Sequence, residues 1–123
     1  WYIQYAHARC CSIFRQAEAA GISGDAWAKA DLTLLAEPGE LDLVRKMAAF
    51  PDEVLSAAIE RAPSRIAKYG LDAASVFHSF YNECRVISDD TALTMARLAL
   101  VDAAKTVVAN ALNIMGIAAP ERM

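Results

Sequence analysis

The chain has 123 residues, an apolar fraction of 56% and a formal net charge of −3. This length fits one domain, and the apolar fraction provides enough material for a buried core, which excludes a disordered chain. The acidic balance excludes binding of nucleic acid by bulk electrostatics alone, but not recognition of a few unpaired bases by stacking and shape.

The first predicted helix runs from about Ile3 to Ala20 and ends at Gly21, because glycine tolerates the left-handed conformation that follows many helices. Its buried face is predicted from apolar residues at helical spacing, namely Ile3, Ala6, Cys10, Ile13 and Ala17. Residues 22–36 mix Gly, Ser and Asp with scattered apolar side chains. They predict a loop with one short turn.

Prolines separate the next two predicted helices. The second begins at Pro38 and ends at Phe50, since a residue before proline is disfavoured in the helical region, and Pro51 begins the third. The buried stripe of the second is predicted as Leu41, Val44, Met47 and Ala48. That of the third is predicted as Val54, Leu55, Ala58 and Ile59.

The pair Ala62-Pro63 separates the third helix from a fourth, whose inner face is predicted as Ile66, Tyr69, Ala73, Phe77, Phe80 and Cys84. The segment Ser88-Asp89-Asp90 supplies caps for a fifth helix, about Thr91 to Met115, which Gly116 ends. No segment shows the period-two alternation of a strand. The predicted fold is all-α, an antiparallel bundle of about five helices that occupies residues 1–123 as one domain.

Targeting and redox signals are few. No apolar run approaches the roughly 20 residues of a membrane span, and no basic leader precedes an apolar block, so neither a span nor a signal peptide is predicted. The opening at Trp1 without Met is expected for a fragment. The cysteines Cys10, Cys11 and Cys84 have no CxxC or Cys/His spacing and predict buried, reduced thiols in a cytoplasmic protein.

Catalytic motifs are not found: the sequence contains no nucleophile elbow, Walker loop or dinucleotide-binding glycine pattern. His7 lies three and four residues before Cys10 and Cys11, so a Cys–His nucleophile is geometrically possible. The alternative is two buried cysteines beside a hydrogen-bonded histidine near a domain seam. Carboxylates are spread over helix surfaces without an acid/base pair, so we predict no catalytic residue and no metal ligand.

A polar stripe accompanies the apolar face of the fourth helix. Its members recur at three- and four-residue spacing: Ala74, His78, Tyr81 and Arg85. Imidazole, phenol and guanidinium groups stack on splayed RNA bases and hold phosphates. The alternative is an ordinary boundary stripe, with Tyr81 half-buried and the stem of Arg85 lying along the protein.

Six segments, in order along the whole chain, resemble arginyl-tRNA synthetases. They are residues 2–9 (YIQYAHAR), 40–46 (ELDLVRK), 50–54 (FPDEV), 77–86 (FHSFYNECRV), 96–101 (ARLALV) and 116–123 (GIAAPERM). The chain is thus similar to the C-terminal, helical (DALR-type) anticodon-binding domain of that family, without its catalytic domain. Gly70 departs from the family pattern, where Leu is usual; it allows close helix packing or marks a kink.

The resemblance implies a parent enzyme that joins arginine to its tRNA using ATP. The sites for ATP and Mg would lie in the absent catalytic domain, whose HIGH and KMSKS signatures this chain lacks. The fragment would therefore be catalytically silent and need no cofactor. Its implied partners are the tRNA for arginine, with emphasis on the central cytosine of the anticodon, and the catalytic domain of a cytoplasmic, monomeric parent.

The resemblance also implies roles for individual residues. Three positions resemble family residues that face the anticodon loop: Tyr5, Tyr81 and Met123. Arg85 follows Tyr81 by about one turn and is expected to hold a base or a phosphate. Three further residues either contact RNA or pin this domain against the catalytic domain, and both possibilities stay open: His7, Arg9 and His78.

Two other functions compete with this interpretation. One is the helical anticodon-binding domain of another class I synthetase, such as the cysteinyl enzyme. The other is a helical protein-interaction module, which would present an exposed apolar groove and no positive patch near Tyr5, Tyr81 and Met123.

Overall fold

The computed structural model describes residues 1–22, 24 and 26–123. It contains five α-helices and one 3₁₀ turn at Leu32–Leu34: α1 (Tyr2–Ala19), α2 (Pro38–Ala48), α3 (Phe50–Glu60), α4 (Ser64–Glu83) and α5 (Thr91–Ile114). No strand occurs among these described residues, and none of their helices is long and apolar enough to cross a membrane. The predicted all-α bundle of about five helices is confirmed.

Two helices, α1 and α5, end at the predicted glycines. Gly21 has a φ of +85° and Gly116 a φ of +72°, both in the left-handed region. After Gly116, the amide of Ile117 donates to the carbonyl of Leu112 at 2.9 Å, which closes the end of α5. This turn directs the remaining residues away from the α5 axis and back along the bundle.

The core is formed mainly by α1, α4 and α5. Its large, fully buried side chains include Ile13 from α1, Phe77 and Phe80 from α4, and Leu98 from α5. Each such side chain contributes roughly 1.5–3 kcal/mol by leaving water. The helix α4 continues through Gly70, where an added Cβ would lie 2.7 Å from Cδ1 of Ile3. The glycine therefore permits close packing of α1 on α4, the first of the two expected alternatives.

The buried face of α2 differs from the prediction. Glu40 and Leu43 are buried, whereas Val44 and Ala48, both predicted for the core, are exposed. The cause is Glu40, whose Oε2 accepts a hydrogen bond from Nε of Arg97 on α5 at 2.7 Å. This buried ion pair fixes the rotation of α2, because separating the two charges inside the protein would be very unfavourable.

The predicted core face of α3 is wrong at three of its four positions. Ala57 is the residue that α3 buries, while Val54 is half-buried and Ala58 is exposed. Leu55 and Ile59 are 58% and 72% exposed. The reason is position: α3 is a short helix at the edge of the bundle that contacts chiefly α4, so only a narrow stripe is covered.

Candidate nucleic-acid interface

Aromatic rings from α1 and α4 meet on one side of the bundle. The ring of His78 lies 5.1 Å from that of Tyr2 and 5.7 Å from that of Tyr5, measured between centroids. On α4 itself, the rings of Phe77 and Tyr81 are 6.4 Å apart. These distances are typical of interacting aromatic pairs. The two helices thus form a continuous aromatic cluster.

Arg9 lies between two of the predicted tyrosines. Its Cζ is 4.7 Å from the ring centroid of Tyr81 and 5.2 Å from that of Tyr5, and its Nη2 donates to the hydroxyl oxygen of Tyr5. Hydrogen bonding with Tyr81, and then with Tyr5, raises the pKa of Arg9 above its ordinary value. A permanent positive charge therefore bridges the two phenol rings, which is a favourable cation–π arrangement.

His78 occupies the less polar part of this cluster. Its Nε2 is buried and has no hydrogen-bond partner among the described residues. Burial, followed by the positive charge of Arg9, lowers the pKa of His78 below its ordinary value of 6.5. The imidazole is therefore neutral at pH 7 and packs between rings as an aromatic group.

A depression of about 440 Å³ opens beside Tyr5. It is lined by one face of α1 and by the last two residues of the chain: Tyr5, Ala8, Arg9, Ser12, Arg15, Arg122 and Met123. Tyr5 is 42% exposed and Met123 is 61% exposed. The structure therefore brings together two of the three residues predicted to face RNA, and Arg9 connects them to the third, Tyr81.

Arg85 lies in the adjacent depression, of about 360 Å³, which Tyr81 also lines. Its predicted place on the fourth helix is wrong, because α4 ends at Glu83 and Cys84 is extended. Its backbone carbonyl accepts from Nη1 of Arg97 at 2.7 Å, and its own Nε donates to the carbonyl of Ile87 at 3.0 Å. The loop after α4, and not helical spacing, keeps Arg85 beside Tyr81.

The arginines of these two depressions share one property. Within the described residues, no carboxylate lies within 4 Å of the guanidinium of any of them: Arg9, Arg15, Arg85 and Arg122. Guanidinium groups of this kind are suited to phosphate, which they bind in a bidentate manner. The surface combines stacking rings with arginines that are not engaged in ion pairs.

His7 is almost fully buried and is hydrogen-bonded to a backbone carbonyl. It is 5% exposed, and its Nδ1 donates to the carbonyl of Pro120 at 2.7 Å. Because a carbonyl only accepts, Nδ1 carries the proton and is not a base for Cys11, whose Sγ lies 3.9 Å away. Burial raises the pKa of the Cys10 thiol to about 12. The geometry therefore matches the expected alternative of buried thiols beside a hydrogen-bonded histidine, and all three cysteines are free and buried.

Arg15 and Arg122 were not predicted from the sequence, although they line the same depression as Met123. A signal for Arg15 does exist, because Tyr5, Ser12 and Arg15 recur at helical spacing on α1. Arg122 has no periodic signal. Its place depends on the path of the chain after Gly116.

Fold and surface together define an all-helical domain with an aromatic and cationic face. Residues 3–123 match the family model of the DALR anticodon binding domain, and the chain belongs to this family.

Similar proteins are known from several bacteria. The chain is 52% identical over 123 residues to the arginine–tRNA ligase of Symbiobacterium thermophilum and 50% identical over 127 residues to that of Heliobacterium modesticaldum. The whole chain is covered, but only 22% and 23% of those proteins, so the chain spans about a fifth of their length.

The structure of Thermus thermophilus arginyl-tRNA synthetase superposes with a TM-score of 0.84 at 37% identity. The match covers 99% of this chain and 21% of that one. These relatives favour the arginine enzymes over the cysteinyl alternative.

Proposed function

We propose that the chain binds the anticodon loop of the tRNA for arginine, as the anticodon-binding part of an arginine–tRNA ligase. One observation carries this proposal beyond family membership: Arg9 bridges Tyr5 and Tyr81 beside the depression that contains Met123. Anticodon loops present unstacked bases next to phosphates, and this surface offers rings next to guanidinium groups.

The residues of the proposed site have different roles in RNA binding, according to their chemistry. Tyr5 and Tyr81 stack on splayed bases, each contributing roughly 1–3 kcal/mol, and Met123 adds apolar contact at the edge. Arg85 and Arg9 hold a base or a phosphate. His78 supports the rings as a neutral aromatic group, and His7 acts inside the domain through its bond to Pro120.

The longer protein would attach arginine to the tRNA with ATP, in a cytoplasmic, monomeric enzyme. ATP and Mg would bind in the catalytic domain, outside this chain, which itself would need no cofactor and contribute only RNA binding. Contacts of the tRNA with that domain would add affinity through effective concentration, so the isolated chain is expected to bind its stem-loop only modestly.

The test is binding of a labelled arginine-tRNA anticodon stem-loop, measured by fluorescence anisotropy. Replacement Tyr81→Ala should weaken binding about five- to 100-fold, because a stacking platform is lost, while helix content by circular dichroism stays unchanged. Tyr81→Phe is the matched control and should retain most of the affinity, since it keeps the ring.

A stem-loop with a changed central base provides the second control and should bind more weakly than the native loop. Equal affinity of the Tyr81→Ala variant and the parent chain for the native loop would contradict the proposed site. A failure of the parent chain to bind any loop would contradict the function.

A further inference from the structure

A row of side chains on α1 binds the backbone of the segment that follows α5. Three carbonyl groups accept these hydrogen bonds: Ala118 from Nε2 of Gln4 (3.1 Å), Pro120 from Nδ1 of His7 (2.7 Å) and Glu121 from Nη1 of Arg15 (3.2 Å). The donors lie on one face of α1, because their spacings of three and eight residues are near one and two helical turns. The order is parallel: donors later in α1 bind carbonyls later in the segment.

Residues 118–123 have little else to hold them. They form no helix, and in the described part of the chain none of their amides donates to a backbone carbonyl. Ala119 packs against the small apolar cluster of Ile3, Val108 and Leu112. The hydrogen bonds that fix the path of the segment therefore come from the α1 side chains, and Ala119 adds apolar packing.

This path determines where Arg122 and Met123 lie. Both residues line the depression beside Tyr5, and they directly follow the last carbonyl that α1 binds. Gln4 and His7 are not among the residues that line the depression, and His7 is almost fully buried. The hydrogen bonds of these two side chains therefore reach the depression through the segment and not by contact with a ligand.

We propose that Gln4, His7 and Arg15 form a clasp that positions the C-terminal segment, so that Arg122 and Met123 complete the RNA-binding depression. The three are positioning residues, and Arg15 in addition lines the depression itself. The proposal rests on the proposed function where it concerns RNA, whereas the fixing of the segment by the clasp is independent of it.

The first variant is Gln4→Met, which keeps the length of the side chain and removes the donor at a position outside the depression. The release of Met123 and then Arg122 by carboxypeptidase should become faster, because the segment is freed more often. Binding of the anticodon stem-loop should weaken roughly three- to tenfold, in proportion to the loss of one hydrogen bond. Asn110→Met is the matched control, an exposed amide of α5 replaced in the same way, and should change neither measurement.

The second pair of variants is His7→Leu and His7→Asn. Leucine fills the buried site without a donor, whereas the amide nitrogen of asparagine takes the position of Nδ1 and can still donate to Pro120. Fast release and weak RNA binding in His7→Leu should be rescued in His7→Asn. If His7→Leu does not fold, Gln4→Met decides the matter.

A chain that lacks residues 122 and 123 separates the possible outcomes. If the clasp acts through these residues, Gln4→Met should have little further effect on RNA binding in the shortened chain, so the two changes are not additive. Unchanged release in Gln4→Met and His7→Leu would overturn the clasp. Faster release with unchanged affinity would overturn its positioning role. A parent chain that fails to bind RNA would overturn the proposed function, while the release assay would still judge the clasp.

Discussion

Two surfaces of this bundle differ in whether their basic side chains form ion pairs. On the surface of α2, α3 and the first half of α4, four basic side chains are ion-paired: Arg45 with Asp42, Lys46 and Lys68 with Asp72, and Arg65 with Glu53 and Glu60. On the surface of α1 and the C-terminal segment, Arg9, Arg15 and Arg122 have no carboxylate within 4 Å in the described residues, and rings surround Arg9. The net charge of −3 is an average over the whole chain and does not describe this face, where arginines lie without an ion-pair partner.

One buried ion pair links the paired surface to the loop after α4. Glu40, at the start of α2, binds Arg97, which also donates to the carbonyl of Arg85. The paired surface thus helps to fix the loop that presents an unpaired arginine.

Breaking the ion pair between Glu40 and Arg97 should have the largest effect on the stability of the protein. Replacement Arg97→Met leaves Glu40 buried without a counter-charge and should lower the free energy of unfolding by about 3–5 kcal/mol, measured by urea denaturation. The double variant Glu40→Leu/Arg97→Met should recover part of this loss, since neither charge is then left alone. A loss below about 1 kcal/mol in the single variant would indicate that the pair is not important for stability.

Removing one arginine from each surface should show which of the two binds RNA. Arg122→Ala should weaken stem-loop binding and reduce the slope of log affinity against log salt by about 0.7, the value for one phosphate contact on a single strand. Arg45→Ala, on the paired surface, should leave both unchanged and alter stability by less than about 0.5 kcal/mol. Identical salt slopes for the Arg122 variant and the parent would exclude a phosphate contact at that residue.

The smallest expected effect concerns the charge of Arg9. The pKa of His78 is lowered first by burial and second by Arg9, so Arg9→Gln should bring it closer to 6.5 without restoring it fully. The pKa of His78 can be measured by NMR titration, and the signals are simple to assign because the chain has two histidines. A His78 pKa that does not move would mean that the Arg9 charge is not felt at the ring.

The same shift has a consequence for stability. The unfolded chain binds a proton at His78 more tightly than the folded chain does. The contribution of His78 to the free energy of unfolding is therefore present in full above about pH 6.5 and is lost as the pH falls through the lowered pKa of the folded state. His78→Phe should remove this part of the pH dependence.

Much of the fold could be predicted because α1, α4 and α5 bury wide apolar faces whose period is visible in the sequence. The ends of α1 and α5 could be predicted because Gly21 and Gly116 adopt the left-handed conformation that follows many helices. The errors fall on α2 and α3, which are short and lie nearer the edge. There, Glu40 faces inward because its carboxylate caps the start of α2 and pairs with Arg97 on α5. The cap has a local signal, a glutamate at the third helical position, whereas the distant partner has none. Leu55 faces outward because α3 lies at the edge of the bundle.

The candidate site was accessible from the sequence only in part. The resemblance supplied Tyr5, Tyr81 and Met123, but it did not indicate that Arg9 lies between the two rings. The contacts of Gln4 and His7 with residues 118–120 join positions 113 and 114 residues apart and use backbone acceptors. Such contacts leave no residue-type signature at the accepting end, so the sequence could not predict them.

The use of backbone carbonyls as acceptors has a practical consequence. Every residue, proline included, has the same main-chain carbonyl oxygen, so the hydrogen bonds from α1 do not depend on which side chains the segment carries. Ala118 and Glu121 can therefore be exchanged for reporter groups, such as a labelled cysteine, without losing the anchorage. Probes at these two positions would therefore report on the edge of the proposed RNA-binding surface.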